Sequence, residues 1–156
     1  MTIRLVRHAK AGSRHNFAGL DDDRPLTKKG LVQAAGIAKM LAPKHPTRLL
    51  SSPLLRCIET LQPLADAVGL SVEIDTRLAE GSSYSSVLDL IEQLPEGAVL
   101  CSHGDVIPAV IDALLRRGAE LASEPDHRKG AMWELERERG EIVRVRAVGP
   151  PPDGTE

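Results

Sequence analysis

Short apolar runs alternate with segments of helical periodicity along most of the chain, and this alternation restricts the possible folds more than any other feature. The run "GAVLCS" at 97–102 is continuously apolar between turn signals. Such a run is typical of a strand that is buried on both faces of a sheet. Five further strands are predicted, at 2–6, 47–51, 70–75, 130–136 and 141–148.

Four helices are predicted between these strands. Thr27 is a suitable N-cap for the first helix, and apolar residues follow it at helical spacing. Ser52 is predicted to cap the second helix, which Gly69 closes. Two shorter helices are predicted over 86–94 and 106–117.

This order of elements predicts the class α/β. We expect a three-layer α/β/α domain with a mainly parallel central sheet, in which the late hairpin supplies at least one antiparallel strand. The chain has 156 residues, which fits one domain. Residues 1–148 are predicted to form that domain, and residues 149–156, "GPPPDGTE", are predicted to be a disordered tail.

Composition excludes several kinds of partner. The chain has one Phe, one Tyr and one Trp, so it offers no aromatic platform for nucleic-acid bases. A net charge of −2 argues against a general polyanion binder. No apolar run approaches the ~20 residues that span a bilayer, and the first residues do not resemble a signal peptide. We therefore expect no nucleic-acid partner, no membrane partner and a cytoplasmic location.

Charged and imidazole side chains follow the ends of four predicted strands. Arg7 and His8 end the first strand, and Arg56 lies in the first turn of the helix after the second. Glu80 lies in the loop after the third strand, and His103 follows the buried fourth strand. In sheets of this kind, ligands bind beyond the carboxyl ends of the strands, so we expect these five side chains to meet there.

A tetrahedral dianion such as phosphate suits this set. Guanidinium groups, imidazoles and helix N-termini all favour a phosphate group, and Gly104 would allow close approach of the backbone to a ligand. Each residue alone has a simpler explanation, since a single histidine at a strand end is usually structural and Arg7 or Arg56 alone could be a surface charge. Their joint placement favours an anion site.

The motifs around these residues resemble the histidine phosphatase superfamily, the phosphoglycerate-mutase-like phosphatases. They occur in the family's order over about two-thirds of the chain. The short length and "RHAKA" resemble the small branch that includes the SixA phosphohistidine phosphatases. "RHAKAGSR" is also similar to the phosphatase domains fused to MutT-type Nudix hydrolases in actinobacteria. The resemblance rests on "LVRHAKA" at 5–11, "RPLTKKGLVQA" at 24–34, "SSPLLRCIETL" at 51–61, "RLAEGS" at 77–82 and "LCSHGD" at 100–105.

The resemblance implies a catalytic role for each residue of the set. His8 would be the nucleophile and would become a phosphohistidine that water then hydrolyses. Arg7, Arg56 and His103 would hold the phosphoryl oxygens and stabilise the charge on them. Glu80 would protonate the leaving oxygen and later activate water.

Two further residues, Arg14 and Asn16, match the region in which the family places additional phosphate ligands. Neither a metal nor another cofactor is expected, because His8 and His103 lack metal-ligand spacing and the positive site would repel a cation. Asp105 is predicted to be the N-cap of the following helix. Both cysteines are predicted to be small core residues.

The sequence leaves three functions open. Glu80 favours a phosphate ester or nucleotide substrate, because an alkoxide leaving group needs a proton. The absence of a long insertion favours instead a phosphohistidine-bearing protein, which needs an open site. A phosphate-binding module without turnover is the third alternative. The partner is accordingly predicted to be either a phosphorylated small molecule or a phosphohistidine-bearing protein.

Overall fold

The computed structural model of the protein describes residues 1–154, and its centre is a mixed β-sheet. Seven strands of this described part form one sheet. They are β1 (Thr2–Arg7), β2 (Leu49–Ser51), β3 (Val72–Ile74), β4 (Val99–Ser102), β5 (Glu120–Leu121), β6 (Met132–Glu138) and β7 (Glu141–Val148).

The strand order is β3-β2-β4-β1-β6-β7-β5. Strands β3, β2, β4 and β1 run parallel, whereas β6 is antiparallel to both β1 and β7. The mainly parallel sheet with a late antiparallel hairpin is confirmed. The sequence analysis missed β5, which pairs parallel with β7 through only two exposed residues. So short a segment carries no recognisable alternation.

Helices cover both faces of the sheet. One apolar cluster packs β1 and β4 against the third and fourth helices, and a second packs the sheet against the first two. The predicted three layers are therefore present. Across residues 1–154, every helix is too short or too polar to cross a membrane. The helices are α1 (Lys28–Leu41), α2 (Leu55–Val68), α3 (Tyr84–Gln93) and α4 (Val106–Arg116).

The helix starts show one prediction confirmed and one wrong. The Thr27 side chain accepts a hydrogen bond from the Gly30 amide (3.1 Å) and caps α1 as predicted. Ser52 does not cap α2, whose N-cap position is Leu54, without a side-chain cap. The Ser52 hydroxyl accepts from the Leu54 amide (3.2 Å) and also contacts His103. A bend at residues 53–54 therefore precedes the helix.

The segment that follows β7 makes contacts with the rest of the domain. Pro151 is buried near Gly36 of α1, and the Asp153 carboxylate is paired with the Lys10 ammonium. Composition alone, which favoured disorder for this segment, did not reveal the proline contact and the ion pair. The rest of the predicted tail, 155–156, lies outside the described residues.

Helix α1 begins against the backbone that leaves β1. The Thr27 amide and hydroxyl both donate to the Lys10 carbonyl, at 3.0 and 3.2 Å. An added Cβ at Gly30 would lie 1.9 Å from that carbonyl oxygen. This contact requires glycine, and it joins the start of α1 to the segment that follows His8.

We predict that Gly30→Ala destabilises the protein more than Gly36→Ala. Both changes add the same methyl group to α1, but Gly30 faces backbone whereas Gly36 faces the ring of Pro151 near the chain end. Overpacking against backbone costs about 1–3 kcal/mol, while the terminal segment can shift. Urea denaturation of the two variants measures the difference, and equal losses would contradict it.

Candidate active site

The carboxyl edge of the parallel strands brings two histidines face to edge. His8 follows β1, and its amide donates to the Ser102 carbonyl at the end of β4 (3.1 Å). The rings of His8 and His103 lie 5.4 Å apart between centroids and are inclined by 61°. Both side chains are buried, with residue exposures of 5% and 2%. The predicted convergence of these two residues is thus present.

The His8 ring has one defined tautomer. Its Nδ1 lies 2.8 Å from the Ala9 carbonyl oxygen, which can only accept, so Nδ1 carries the proton. Burial lowers the pKa of His8 to about 3, with a smaller contribution from the positive charges of nearby side chains, against the opposing effect of the Ala9 hydrogen bond. The imidazole is therefore neutral at pH 7. Its Nε2 holds the lone pair that a nucleophile needs.

The His103 ring is held from the opposite side. Its Nε2 lies 2.8 Å from the Ser52 hydroxyl oxygen and 3.5 Å from the Cys57 sulfur. Its Nδ1 is buried and has no hydrogen-bond partner among residues 1–154. Ser52 was missed as a site residue because the sequence favoured a helix-capping role for it.

Arg7 is oriented by two neighbours. Its Nη1 donates to the His127 carbonyl (2.7 Å), and an added Cβ at Gly104 would lie 2.6 Å from its Cζ. Gly104 therefore makes room for the guanidinium group, a role different from the predicted approach to a ligand. Burial lowers the pKa of Arg7, and the Asp105 carboxylate partly opposes this. His127 was not predicted, because a backbone carbonyl contact leaves no signal in the sequence.

Arg56 is almost completely buried, at 1% exposure. Its Nη1 donates to the Asp21 carbonyl (3.0 Å), and its Nη2 donates to the Asp21 and Glu80 carboxylates (3.3 and 3.2 Å). Asp21 lies in the segment between β1 and α1, and its contact with Arg56 was not predicted from the sequence. An acidic run beside a predicted basic cluster was the available signal.

The rim of the site contains Glu80 and Arg14. The Arg14 Nη2 donates to the Glu80 carboxylate (2.9 Å), and both side chains are exposed. Asn16 is exposed, and within the described chain no hydrogen bond links its side chain to this cluster. The two predicted additional ligands therefore differ, since only Arg14 reaches the site.

Asp105 has a different role from the one predicted. It occupies the N-cap position of α4 but makes no side-chain cap hydrogen bond. Its carboxylate instead accepts from the Gly81 amide (2.8 Å). The residue thus ties the loop that carries Glu80 to the end of β4. Both cysteines are buried in the core, as predicted.

Three buried nitrogen atoms of the site lack a protein partner in residues 1–154: Arg7 Nε, Arg56 Nε and His103 Nδ1. A buried polar group without a hydrogen bond is costly. Within the same residues, no group of three or more His, Cys, Asp or Glu side chains is arranged to hold a metal ion. The donors and the neutral His8 are suited to a phosphoryl group.

The fold and the site together define an α/β domain with two histidines and two arginines at the carboxyl edge of its parallel strands. Residues 3–84 match the family model of the histidine phosphatase superfamily (branch 1). The chain belongs to this family, as the sequence motifs predicted.

Named relatives and solved structures agree with this class. The chain is 30% identical over 158 residues to an 8-oxo-(d)GTP phosphatase of Mycolicibacterium smegmatis, covering 96% of this chain and 48% of that protein. It is 40% identical over 80 residues to a glucosyl-3-phosphoglycerate phosphatase of Mycolicibacterium vanbaalenii, covering 49% and 34%. The chain thus spans half or less of the length of these relatives. A structure of the protein histidine phosphatase SixA complexed with tungstate superposes with a TM-score of 0.77 and 21% identity, covering 98% and 97%.

We predict that the protein becomes less stable in acid, because the fold holds His8 neutral whereas the unfolded chain can protonate it. The pKa of His8 is about 3 in the folded protein against 6.5 ordinarily, so the unfolded chain binds the proton first as the pH falls. The contribution of His8 to the free energy of unfolding is complete above pH 6.5 and is lost progressively as the pH falls below that value. Between pH 6.5 and 4 this group should remove up to about 3 kcal/mol from the free energy of unfolding.

Urea denaturation across this pH range measures the effect in the wild type and in His8→Gln. The variant should show a shallower pH dependence. His15→Gln, which removes an exposed histidine, should keep the wild-type slope. Identical slopes for wild type and His8→Gln would show that His8 does not titrate in this way.

Proposed function

We propose that the protein is a metal-independent phosphatase that acts through a covalent phosphohistidine at His8. The observation that carries this proposal is the neutral His8, with its Nδ1 proton committed to the Ala9 carbonyl, in a site that also contains the unpaired buried Nε donors of Arg7 and Arg56. A nucleophile that needs no separate base and a set of donors for the phosphoryl oxygens are the two requirements of such a reaction.

In the first step, His8 Nε2 attacks phosphorus and the bond to the leaving oxygen breaks. Arg7, Arg56 and His103 bind the phosphoryl oxygens, on which charge is spread during transfer. Glu80 donates its proton to the leaving oxygen. In the second step, Glu80 accepts a proton from water, the water oxygen attacks phosphorus, and phosphate leaves as the N–P bond breaks.

The contacts at the rim support this division of roles. The Glu80 carboxylate is held by Arg14 and by Arg56, so it lies next to a group that would bind the phosphate. Asp105 fixes the adjacent Gly81 amide. We infer that Arg14 positions Glu80 and that Asn16 does not bind the phosphoryl group.

We propose a phosphate ester or nucleotide as the substrate. A carboxylic acid beside the leaving group is useful for an alkoxide, which needs a proton. The relatives named as phosphatases of 8-oxo-(d)GTP and of glucosyl-3-phosphoglycerate support a small-molecule substrate.

A phosphohistidine-bearing protein is the second candidate. The side chains at the rim are open to solvent, at 57% exposure for Arg14 and 39% for Glu80, which would admit a protein loop. The structural likeness to SixA, a protein histidine phosphatase, also supports it.

We predict that His8→Ala abolishes phosphoenzyme formation and lowers turnover by several orders of magnitude. Rapid quenching with radiolabelled p-nitrophenyl phosphate should trap an alkali-stable, acid-labile label on the wild type but not on His8→Ala. His15→Ala should behave as the wild type. Vanadate should inhibit competitively, and EDTA should have no effect.

Near-normal turnover in His8→Ala would refute the nucleophile assignment. Tight phosphate binding without any trapped label would instead support a binding module. Activity that disappears with EDTA and returns with a divalent ion would refute metal independence.

We predict that Glu80→Gln slows phosphoryl transfer from an alkyl phosphate far more than from p-nitrophenyl phosphate. Phenolate leaves without a proton, whereas an alkoxide depends on general acid help of ~10²–10⁴-fold. Single-turnover kinetics isolate the first step from the hydrolysis that follows. Glu92→Gln, an exposed change on α3, is the matched control. Equal losses with both substrates would mean that Glu80 is not the acid, and would favour the protein phosphohistidine substrate.

A further inference from the structure

A group of cationic side chains lies beside the proposed catalytic site, although the whole chain has a net charge of −2. Two adjoining recesses of about 420 and 500 Å³ open on the surface, and Lys10 and Lys129 line both. The first also includes Arg128 and the second includes Lys28 and Lys29. We call Lys10, Lys28, Lys29 and Lys129 the lysine cluster.

A buried side chain fixes the two shared lysines relative to each other. The Gln33 side chain on α1 is 2% exposed. Its Oε1 accepts from the Lys10 amide (3.0 Å), and its Nε2 donates to the Lys129 carbonyl (3.4 Å). The two backbone segments are thereby held on either side of one buried amide, so their proximity is part of the fold.

The same lysines are close to the residues proposed to bind phosphate. Lys10 lies two positions after His8, and the amide of Gly130, next to Lys129, donates to the Arg7 and His8 carbonyls (3.2 and 3.1 Å). Burial lowers the pKa of Lys129, and the charges of Arg7, Arg24, Arg56 and Lys10 lower it further. Lys129 therefore interacts electrostatically with arginines of the proposed catalytic site and with Lys10 of the lysine cluster.

The chain places one of its own anions on this cluster. The Asp153 carboxylate pairs with the Lys10 ammonium, and the segment that carries it is seated by the burial of Pro151 on α1. A carboxylate is thus already accommodated at Lys10. Lys28, Lys29 and Lys129 have no carboxylate partner within 4.0 Å in the described part of the chain, as judged by its ion pairs.

We propose that Lys10 and Lys129 form a second anion subsite, which binds a further phosphoryl group of a small-molecule substrate while the first occupies the catalytic residues. The substrate class is a molecule with two phosphoryl groups, such as a nucleoside diphosphate or a bisphosphate. Asp153 competes for Lys10 and weakens this binding. The proposal rests on the phosphatase function proposed above for the reacting group.

Three phosphonates that cannot be hydrolysed test the subsite: methylphosphonate, methylenediphosphonate and propane-1,3-diphosphonate. Calorimetry of the full chain measures their Kd values. We expect at least one diphosphonate to bind fivefold or more tightly than methylphosphonate in the wild type. Lys10→Gln and Lys129→Gln should each reduce this ratio at least threefold. Lys39→Gln, on an exposed position of α1, should leave the ratio at its wild-type value.

A separate variant tests the competition by the Asp153 carboxylate. Asp153→Asn should tighten diphosphonate binding about two- to threefold, with a smaller effect on methylphosphonate. A ratio below fivefold in the wild type, or a ratio that resists both lysine substitutions, overturns the subsite. Tightening of both ligands alike overturns the role of Asp153.

Calorimetry needs no turnover, so the two proposals fail separately. Failure to hydrolyse p-nitrophenyl phosphate, with the diphosphonate ratio intact, would refute the phosphatase and keep the subsite. Turnover with no diphosphonate preference would do the reverse, and a preference for acidic phosphohistidine peptides over both diphosphonates would also overturn the small-molecule subsite.

Discussion

The burial of the Arg56 guanidinium and the partial burial of the Arg7 guanidinium at one edge of the sheet are the constraint on which the rest of the structure depends. A charged group removed from water needs hydrogen bonds and compensating charge. Arg7 donates a hydrogen bond to the His127 carbonyl, and Arg56 donates to the carbonyl and the carboxylate of Asp21. Two loops far apart in sequence are therefore held against the edge by the arginines, and the Nε atom of each guanidinium is buried without a partner among residues 1–154.

The chemistry of His8 follows from its position at the end of a buried strand. The backbone turns there so that the Ala9 carbonyl meets Nδ1 of the preceding ring, and the surrounding core and arginines keep the imidazole neutral. The burial that keeps the imidazole neutral also lowers the free energy of unfolding in acid. The neutral state of His8 and the expected loss of stability in acid thus have one physical origin, the desolvation of a titratable group.

Helix α1 connects the proposed catalytic residues to the chain end. Its first turn packs on the Lys10 carbonyl through Gly30, its buried Gln33 bridges Lys10 and Lys129, and its outer face receives Pro151. A single helix therefore relates the nucleophile segment, the lysine cluster and the terminal segment. Substrate recognition and the conformation of the terminal segment are coupled if Asp153 and a ligand compete for Lys10.

Local sequence determined the elements and the class. Strand alternation, the Thr27 cap and the "LVRHAKA" and "LCSHGD" motifs were sufficient for the α/β fold, the family and the meeting of His8 with His103, because they are properties of neighbouring residues and of parallel sheets in general. Only the tertiary structure decided that Ser52 faces His103, that Asp105 holds the Glu80 loop and that the terminal segment packs on α1. Those contacts join residues distant in sequence. The hydrogen-bond partner of each polar side chain depends on which loops the fold brings within hydrogen-bond distance of it.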